Sequence, residues 1–150
     1  MILNSDPQAA QTLREAGLKA TPQRLAILRA LAGDETHPTA QELFDRLRSD
    51  FPTLSVATVY NTLSALTRMQ RCVPLELGGP LRFDPNVSAH DHAVCERCGG
   101  IRDVPPPAEV RAANGGMTPA ACEPTVTGFR VRRVERIYRG LCAQCVEAAE

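Results

Sequence analysis

In the first half of the chain apolar residues recur at helical spacing, broken by glycine, proline and capping residues at regular intervals. Pro7 to Gly17 reads as a short helix stopped by glycine, and Thr21-Pro22 opens a second, with threonine as cap and proline in the first turn. Leu25, Ile27, Leu28 and Leu31 give that helix a buried face up to Gly33. A third helix is predicted from Thr39, with Leu43, Phe44 and Leu47 inward and Phe51-Pro52 as its end. Ser55 caps a fourth, in which Val56, Val59, Leu63 and Leu66 form one apolar stripe opposite a face of small polar residues.

The period then changes. Cys72 to Leu77 and Leu81 to Asp84 read as extended stretches joined by Gly78-Gly79-Pro80, a hairpin. Helices followed by such a hairpin predict a winged helix over residues 1–86. From Val87 a second, α+β domain is expected over residues 87–150, with strands at His92 to Cys95 and Ile101 to Val104 before Pro105-Pro106-Pro107. Ala108 to Ala113 makes a short helix at most, and the Gly- and Pro-containing stretch up to Thr127 reads as loop. Phe129 to Tyr138 alternates as a strand, followed by a second CxxC and a short tail.

Composition narrows the class without deciding it. With 43% hydrophobic and 23% charged residues and no apolar run near the roughly 20 residues a bilayer needs, a soluble protein with no membrane role is expected. Met1 to Ala10 has neither the basic start nor the apolar stretch of a secretory signal, and four of the six cysteines lie in CxxC pairs, so a cytoplasmic metal-binding protein is favoured over a disulfide-bonded one. Basic and acidic residues number 17 each, and they balance within both halves, nine and nine up to Asn86, eight and eight beyond. Neither half is a general polyanion binder. Any affinity for nucleic acid must come from local arrangement, or from a bound cation that fixes the shape.

Cys95-Glu96-Arg97-Cys98 and Cys142-Ala143-Gln144-Cys145 can each turn two thiolates inward, and four thiolates suit a closed, structural zinc site. Thioredoxin-like redox chemistry needs a single pair at a helix start, a setting expected for neither. Cys72 and Cys122 stand outside this pattern and read as buried or incidental thiols. The only three histidines are His37, His90 and His92, and the last two form an HxH whose imidazoles share one face of a strand. With Asp84 at the end of the hairpin and Asp103 after the first CxxC, they make a mixed nitrogen and oxygen donor set suited to iron(II) or manganese(II) as well as zinc. The plainer reading of the HxH is surface polarity, and of His37 a residue at a helix start.

With its apolar stripe inward, the fourth helix turns Ser55, Ala57, Thr58, Tyr60 and Asn61 outward near its N-terminal end, where a recognition helix meets base edges. Lys19 and Arg24 could bind phosphate or enter the minor groove. Taken alone the pattern is weak, since most amphipathic helices with a polar face meet only water.

In order along the chain, Thr21-Pro22-Gln23-Arg24, His37-Pro38-Thr39-Ala40, Ser55-Val56-Ala57-Thr58-Val59-Tyr60-Asn61 and His90-Asp91-His92-Ala93-Val94-Cys95 resemble the motifs of ferric uptake regulator (Fur) family repressors. The resemblance extends from Leu13 to Cys145. It implies a winged-helix DNA-binding domain hinged to an α+β dimerisation domain, a homodimer on palindromic operator DNA, and no enzymatic turnover. It implies structural zinc on Cys95, Cys98, Cys142 and Cys145, and a regulatory iron or manganese on His37, Asp84, His90, His92 and Asp103. Aspartates at positions 84 and 103 and the Tyr60-Asn61 pair are similar to the peroxide-sensing PerR branch, in which iron(II) and peroxide oxidise a ligand histidine, by position His37 or His90, and release the DNA. A further metal site found in some members is not implied, because Ala89 and Arg132-Arg133 stand where its histidines would be. The stretch from Glu109 to Thr127 departs from the family's usual dimer-domain helix.

Three rivals stay open on sequence. A manganese, iron or zinc homeostasis repressor (Fur, Mur or Zur type) would use the same ligands and ignore peroxide. A zinc hydrolase would use His37, His90 and His92 with an activated water, but no convincing general base accompanies them. A zinc-ribbon interaction module would have no DNA role.

Overall fold

A computed structural model describes residues 6–105, 128 and 136–148. The chain divides into two compact units, Met1–Ser88 and Ala89–Glu150; the change of pattern in the sequence lies two residues earlier, after Asn86.

The first unit contains α1 (Asp6–Glu15), α2 (Pro22–Leu31), α3 (Ala40–Leu47), α4 (Val56–Arg68) and the hairpin β1 (Val73–Leu75) and β2 (Arg82–Asp84). Three of the helices start at side-chain caps, Thr21, Thr39 and Ser55, whose hydroxyls accept from the backbone N–H of Arg24, Glu42 and Thr58 respectively. At Thr39 the cap is reciprocal, because the Glu42 carboxylate accepts from the Thr39 N–H in return. Gly17 and Gly33 follow α1 and α2 with φ of 74°, the left-handed turn that stops a helix. Leu13, Ile27, Leu28, Leu31, Leu43, Val59, Leu63 and Leu66 meet in one core, which Phe83 of β2 and Cys72 join from the hairpin side. Val56, read as part of the stripe of α4, is only half-buried, and Thr62 and Ala65 are buried in addition. Helices followed by an antiparallel hairpin are the element order of a winged helix.

In the second unit β3 (Asp91–Cys95) lies between β4 (Ile101–Val104), antiparallel to it, and β5 (Ile137–Gly140), parallel to it. α5 (Ala143–Glu147) follows directly. Two expectations need correction. The strand read as ending at Tyr138 continues to Gly140, because Cys95 pairs with Gly140 in the β3–β5 ladder; its predicted start at Phe129 lies outside the described residues. The second CxxC, read as lying where a strand meets a turn, opens a short helix that runs two residues beyond it. The helix read at Ala108 to Ala113, the loop up to Thr127, and Cys122 also fall outside the described residues. Among the described residues no helix is long and apolar enough to cross a membrane.

Candidate metal centres

The first CxxC begins on the last residue of β3. Cys95 accepts from the Gly99 N–H through its carbonyl and donates its own N–H to the Gly100 carbonyl, both at 2.9 Å, which closes the turn carrying Cys98. Gly99 is left-handed with φ of 71°, and a Cβ on Gly100 would lie 3.3 Å from Cys98 Sγ, so the glycine pair leaves the thiol room to face inward. The second CxxC opens α5, with Cys142 as its N-cap and Cys145 in its first turn. That overturns the expectation that neither pair lies at a helix start. A single redox pair is nonetheless not what the geometry builds, because all four Sγ atoms lie within 4.8 Å of one another.

Cys98 Sγ and Cys142 Sγ are 3.8 Å apart, and a tetrahedron of zinc–sulfur bonds of about 2.3 Å has edges of about 3.8 Å. The Cys142 N–H donates to Cys95 Sγ at 3.3 Å, and Arg97 Nη1 donates to the Cys145 carbonyl at 2.8 Å, tying the two turns together. Backbone N–H groups of Cys98 and Cys142 pull the Cys95 thiol down to about 6, while hydrogen bonding to Cys142 and burial push Cys145 up to about 12. One thiolate is favoured and another is resisted, as befits acids crowded into one small space. A divalent cation removes that conflict by taking all four as thiolates, and zinc fits the donor set and its size.

Of the five remaining candidate ligands, two lie in the first unit. β2 alternates, so that Phe83 enters the core while Arg82 and Asp84 point to the other face, toward the segment that leads into α3. There His37 Nε2 lies 3.9 Å from Asp84 Oδ1. That is too long for a hydrogen bond, and short enough for both atoms to reach one ion at about 2.0–2.2 Å. Asp84 Oδ1 also accepts from the Asn86 N–H at 2.7 Å, which orients the carboxylate. His37 is buried and has φ of 52°, left-handed although it is not glycine and precedes Pro38. Such a conformation costs on the order of 1–3 kcal/mol and persists only where surroundings enforce it.

The other three candidates lie in the second unit, around β3 and β4. His90 Nε2 and His92 Nε2 are 3.0 Å apart, with ring centroids separated by 4.5 Å. Two metal–nitrogen bonds of about 2.1 Å at a right angle span about 3.0 Å, so the pair suits neighbouring positions around one ion. Asp103 stands opposite His92 in the β3–β4 register, and its Oδ1 lies 3.6 Å from His90 Nε2. Imidazoles with carboxylates are the harder donor set that iron(II) and manganese(II) accept as readily as zinc. Between the two histidines Asp91 turns the opposite way and is buried, accepting from Arg136 Nε at 3.1 Å and Tyr138 Oη at 3.4 Å. Sequence reasoning passed over Asp91; its position inside the HxH was the available signal, but its partners lie 45 and 47 residues away.

On α4, Ala57, Tyr60 and Asn61 are exposed, with Ser64 and Arg68 continuing the same side, two residues that sequence reasoning did not single out. The hydroxyls of Ser55 and Thr58 are 2.9 Å apart, and Ser55 Oγ accepts from the Thr58 N–H, so both serve the helix cap. Arg24 Nη1 donates to the Lys19 carbonyl at 3.0 Å, which tethers the Arg24 side chain to the α1–α2 connection, while Lys19 is exposed. Cys72 is buried in the first unit, and burial, helped by the nearby Asp84 charge, pushes its thiol up to about 12. It packs in the core of that unit.

A unit of helices and hairpin, a small sheet unit knitted by thiolates, and a separate set of histidines and carboxylates belong together in one class of metal-dependent repressor. A model of the ferric uptake regulator family matches residues 15–114, and the chain belongs to that family. Peroxide-responsive repressors are among its curated relatives. The chain is 38% identical over 143 residues to the peroxide operon regulator of Bacillus subtilis (strain 168), a match covering 92% of this chain and 91% of that protein. It is 45% identical over 97 residues to the peroxide-responsive repressor PerR of Staphylococcus aureus (strain Mu50), covering 64% of this chain and 66% of that protein, just under two thirds of its length. In fold it is similar to the ferric uptake regulator Fur of Helicobacter pylori, described as having three functional metal binding sites, with a TM-score of 0.74, 21% identity, and 100% and 99% of the two chains covered.

Proposed function

We propose that this protein is a cytoplasmic, homodimeric DNA-binding repressor that needs a regulatory metal to hold its operator and releases it when peroxide and iron(II) damage a ligand histidine. The observation that carries the reading is the presence of two donor sets of different chemistry. One is four thiolates within 4.8 Å of one another, which leave no position open. The other is a set of histidines and aspartates, with His37 and Asp84 in the first unit and His90, His92 and Asp103 in the second. Zinc in the thiolate set holds the sheet unit together, and iron(II) or manganese(II) takes the mixed set. The likeness to peroxide-responsive repressors supports the peroxide response.

One ion that draws ligands from both units couples them. His37 and Asp84 then report metal occupancy to the helical unit that carries α4, whose Ala57, Tyr60 and Asn61 face base edges in the major groove, with Lys19 and Arg24 toward the phosphates. Ser55 and Thr58 hold the first turn of α4 in shape. A bound iron(II) would supply the redox centre at which peroxide transfers one oxygen to the imidazole of His37 or His90 and leaves as water, the two electrons coming from the ring. The histidine is consumed, so the event is sensing rather than turnover. An oxidised imidazole no longer offers its nitrogen, the shared ligand set fails, and the two units are uncoupled.

Binding of the zinc-loaded protein to an operator-length palindromic duplex, without further metal and then with manganese(II), tests the metal dependence. Binding that appears only with the added metal is expected; equal binding in both conditions contradicts the reading.

A further inference from the structure

The conformation of His37 needs a cause, and the second strand of the hairpin supplies one. Arg82 Nη1 donates to the His37 carbonyl at 3.0 Å and to Glu42 Oε2 at 3.3 Å. Glu42 Oε2 also accepts from the Thr39 N–H at 2.8 Å, and Thr39 Oγ1 accepts from the Glu42 N–H at 3.0 Å. Backbone contacts fix the same segment against β2, for the Phe83 N–H donates to the Pro38 carbonyl at 3.0 Å and Thr39 bridges to Arg82. Ahead of His37 in the chain, Arg46 Nη1 reaches Asp34 Oδ2 at 2.5 Å and Thr36 Oγ1 accepts from Arg46 Nη2 at 3.3 Å, so the approach to His37 is anchored as well. Burial raises the Asp34 carboxyl, but hydrogen bonds from Thr36 and the Arg46 charge outweigh it and hold it below its usual range, as a carboxylate.

Arg82 and Asp84 therefore share one face of one three-residue strand and address the two ends of the same residue, the first its carbonyl and the second its imidazole. Both bonds come from one nitrogen, Nη1, held at the end of a planar guanidinium; the ammonium of a lysine ends a stem one bond shorter and reaches the same two acceptors less well. We propose that Arg82 is a positioning residue for the regulatory metal: by clamping the His37 carbonyl to Glu42 at the start of α3, it enforces the left-handed backbone that presents the imidazole beside Asp84. The inference rests on His37 being a metal ligand, and its test separates the two.

The experiment titrates manganese(II) into the zinc-loaded full chain, following free manganese by electron paramagnetic resonance, for wild type, Arg82→Met, Arg82→Lys and His37→Ala. Methionine keeps the length of the stem and loses every donor. Its affinity is expected to fall about 10–100-fold, the range for partners that orient a metal ligand, with lysine in between. A second readout needs no manganese: the NMR coupling and carbon shifts of the His37 backbone should leave left-handed values in Arg82→Met. A merely structural Arg82 would lower the melting temperature while leaving both of these unchanged in the folded protein. If methionine prevents folding, Arg82→Lys decides, with affinity at least about threefold below wild type expected and wild-type affinity overturning the proposal. Wild-type affinity in Arg82→Met alongside weakened binding in His37→Ala overturns the role of Arg82 alone. Wild-type affinity in His37→Ala overturns the ligand assignment beneath it.

Discussion

The thiolate cluster and the histidine–aspartate set are built from the same kinds of loop and strand end, yet they are made for opposite purposes. The thiolate ligands come from two turns that brace each other directly, through the Cys142 N–H on Cys95 Sγ and the Arg97 guanidinium on the Cys145 carbonyl. All four lie in the second unit, so a zinc ion there stabilises one unit and commits no other part of the chain. Of the histidine and aspartate candidates, His37 and Asp84 lie in the first unit and His90, His92 and Asp103 in the second, and His37 is held in a costly backbone conformation. A structural metal is best served by ligands that converge within one unit. A sensing metal gains from ligands whose convergence depends on the ion.

The largest effect expected from this contrast comes from breaking the thiolate set. Cys142→Ser should lose zinc and unfold the β3–β4–β5 sheet, since structural zinc supplies on the order of 10 kcal/mol in small domains; zinc content and the NMR signals of Val94 and Ile101 check it. A folded sheet without zinc would erase the distinction between the two sets. His92→Ala should behave differently, with manganese(II) affinity falling by more than the roughly 100-fold upper range for orienting partners while zinc content stays at one per chain. Loss of zinc in that variant would mean that the sets are not independent. Asp91→Asn sharpens the comparison at its smallest scale. It weakens a half-exposed ion pair with Arg136 that joins β3 to β5, and about 1 kcal/mol of stability is expected to be lost, with metal affinity reduced only a few-fold. Thermal melting in parallel with metal titration distinguishes that from a ligand role.

Much of this was legible in the sequence, for reasons that are local. The helix starts at Thr21, Thr39 and Ser55 are side-chain to backbone events within three residues, and strand alternation alone puts the imidazoles of His90 and His92 on one face. The convergence of the four thiols follows from residue type and the two CxxC spacings, whereas the grouping of His37 and Asp84 with His90, His92 and Asp103 is implied by the resemblance to the family. What escaped depends on distant register or on segments too short for a period. The helix at Ala143–Glu147 is little more than one turn, and Cys142 caps it without a side-chain hydrogen bond. The end of β5 at Gly140 is set by parallel pairing with β3, more than 40 residues earlier. The Arg82 clamp joins residues 40 and 45 positions apart. On α4 the sequence correctly marks the outward face, but it does not reveal that Ser55 and Thr58 spend their hydroxyls on the cap.

The most direct test of the central claim, that the mixed set senses peroxide while the thiolate set only holds structure, is brief hydrogen peroxide treatment of the operator-bound, zinc-loaded protein carrying iron(II) or manganese(II), followed by mass spectrometry of the His37 and His90 peptides. The account predicts release of DNA and a gain of one oxygen on either histidine with iron, and neither change with manganese. DNA binding that survives peroxide with iron bound, with both histidines unmodified and metal still required, would contradict it and make the protein a metal-homeostasis repressor.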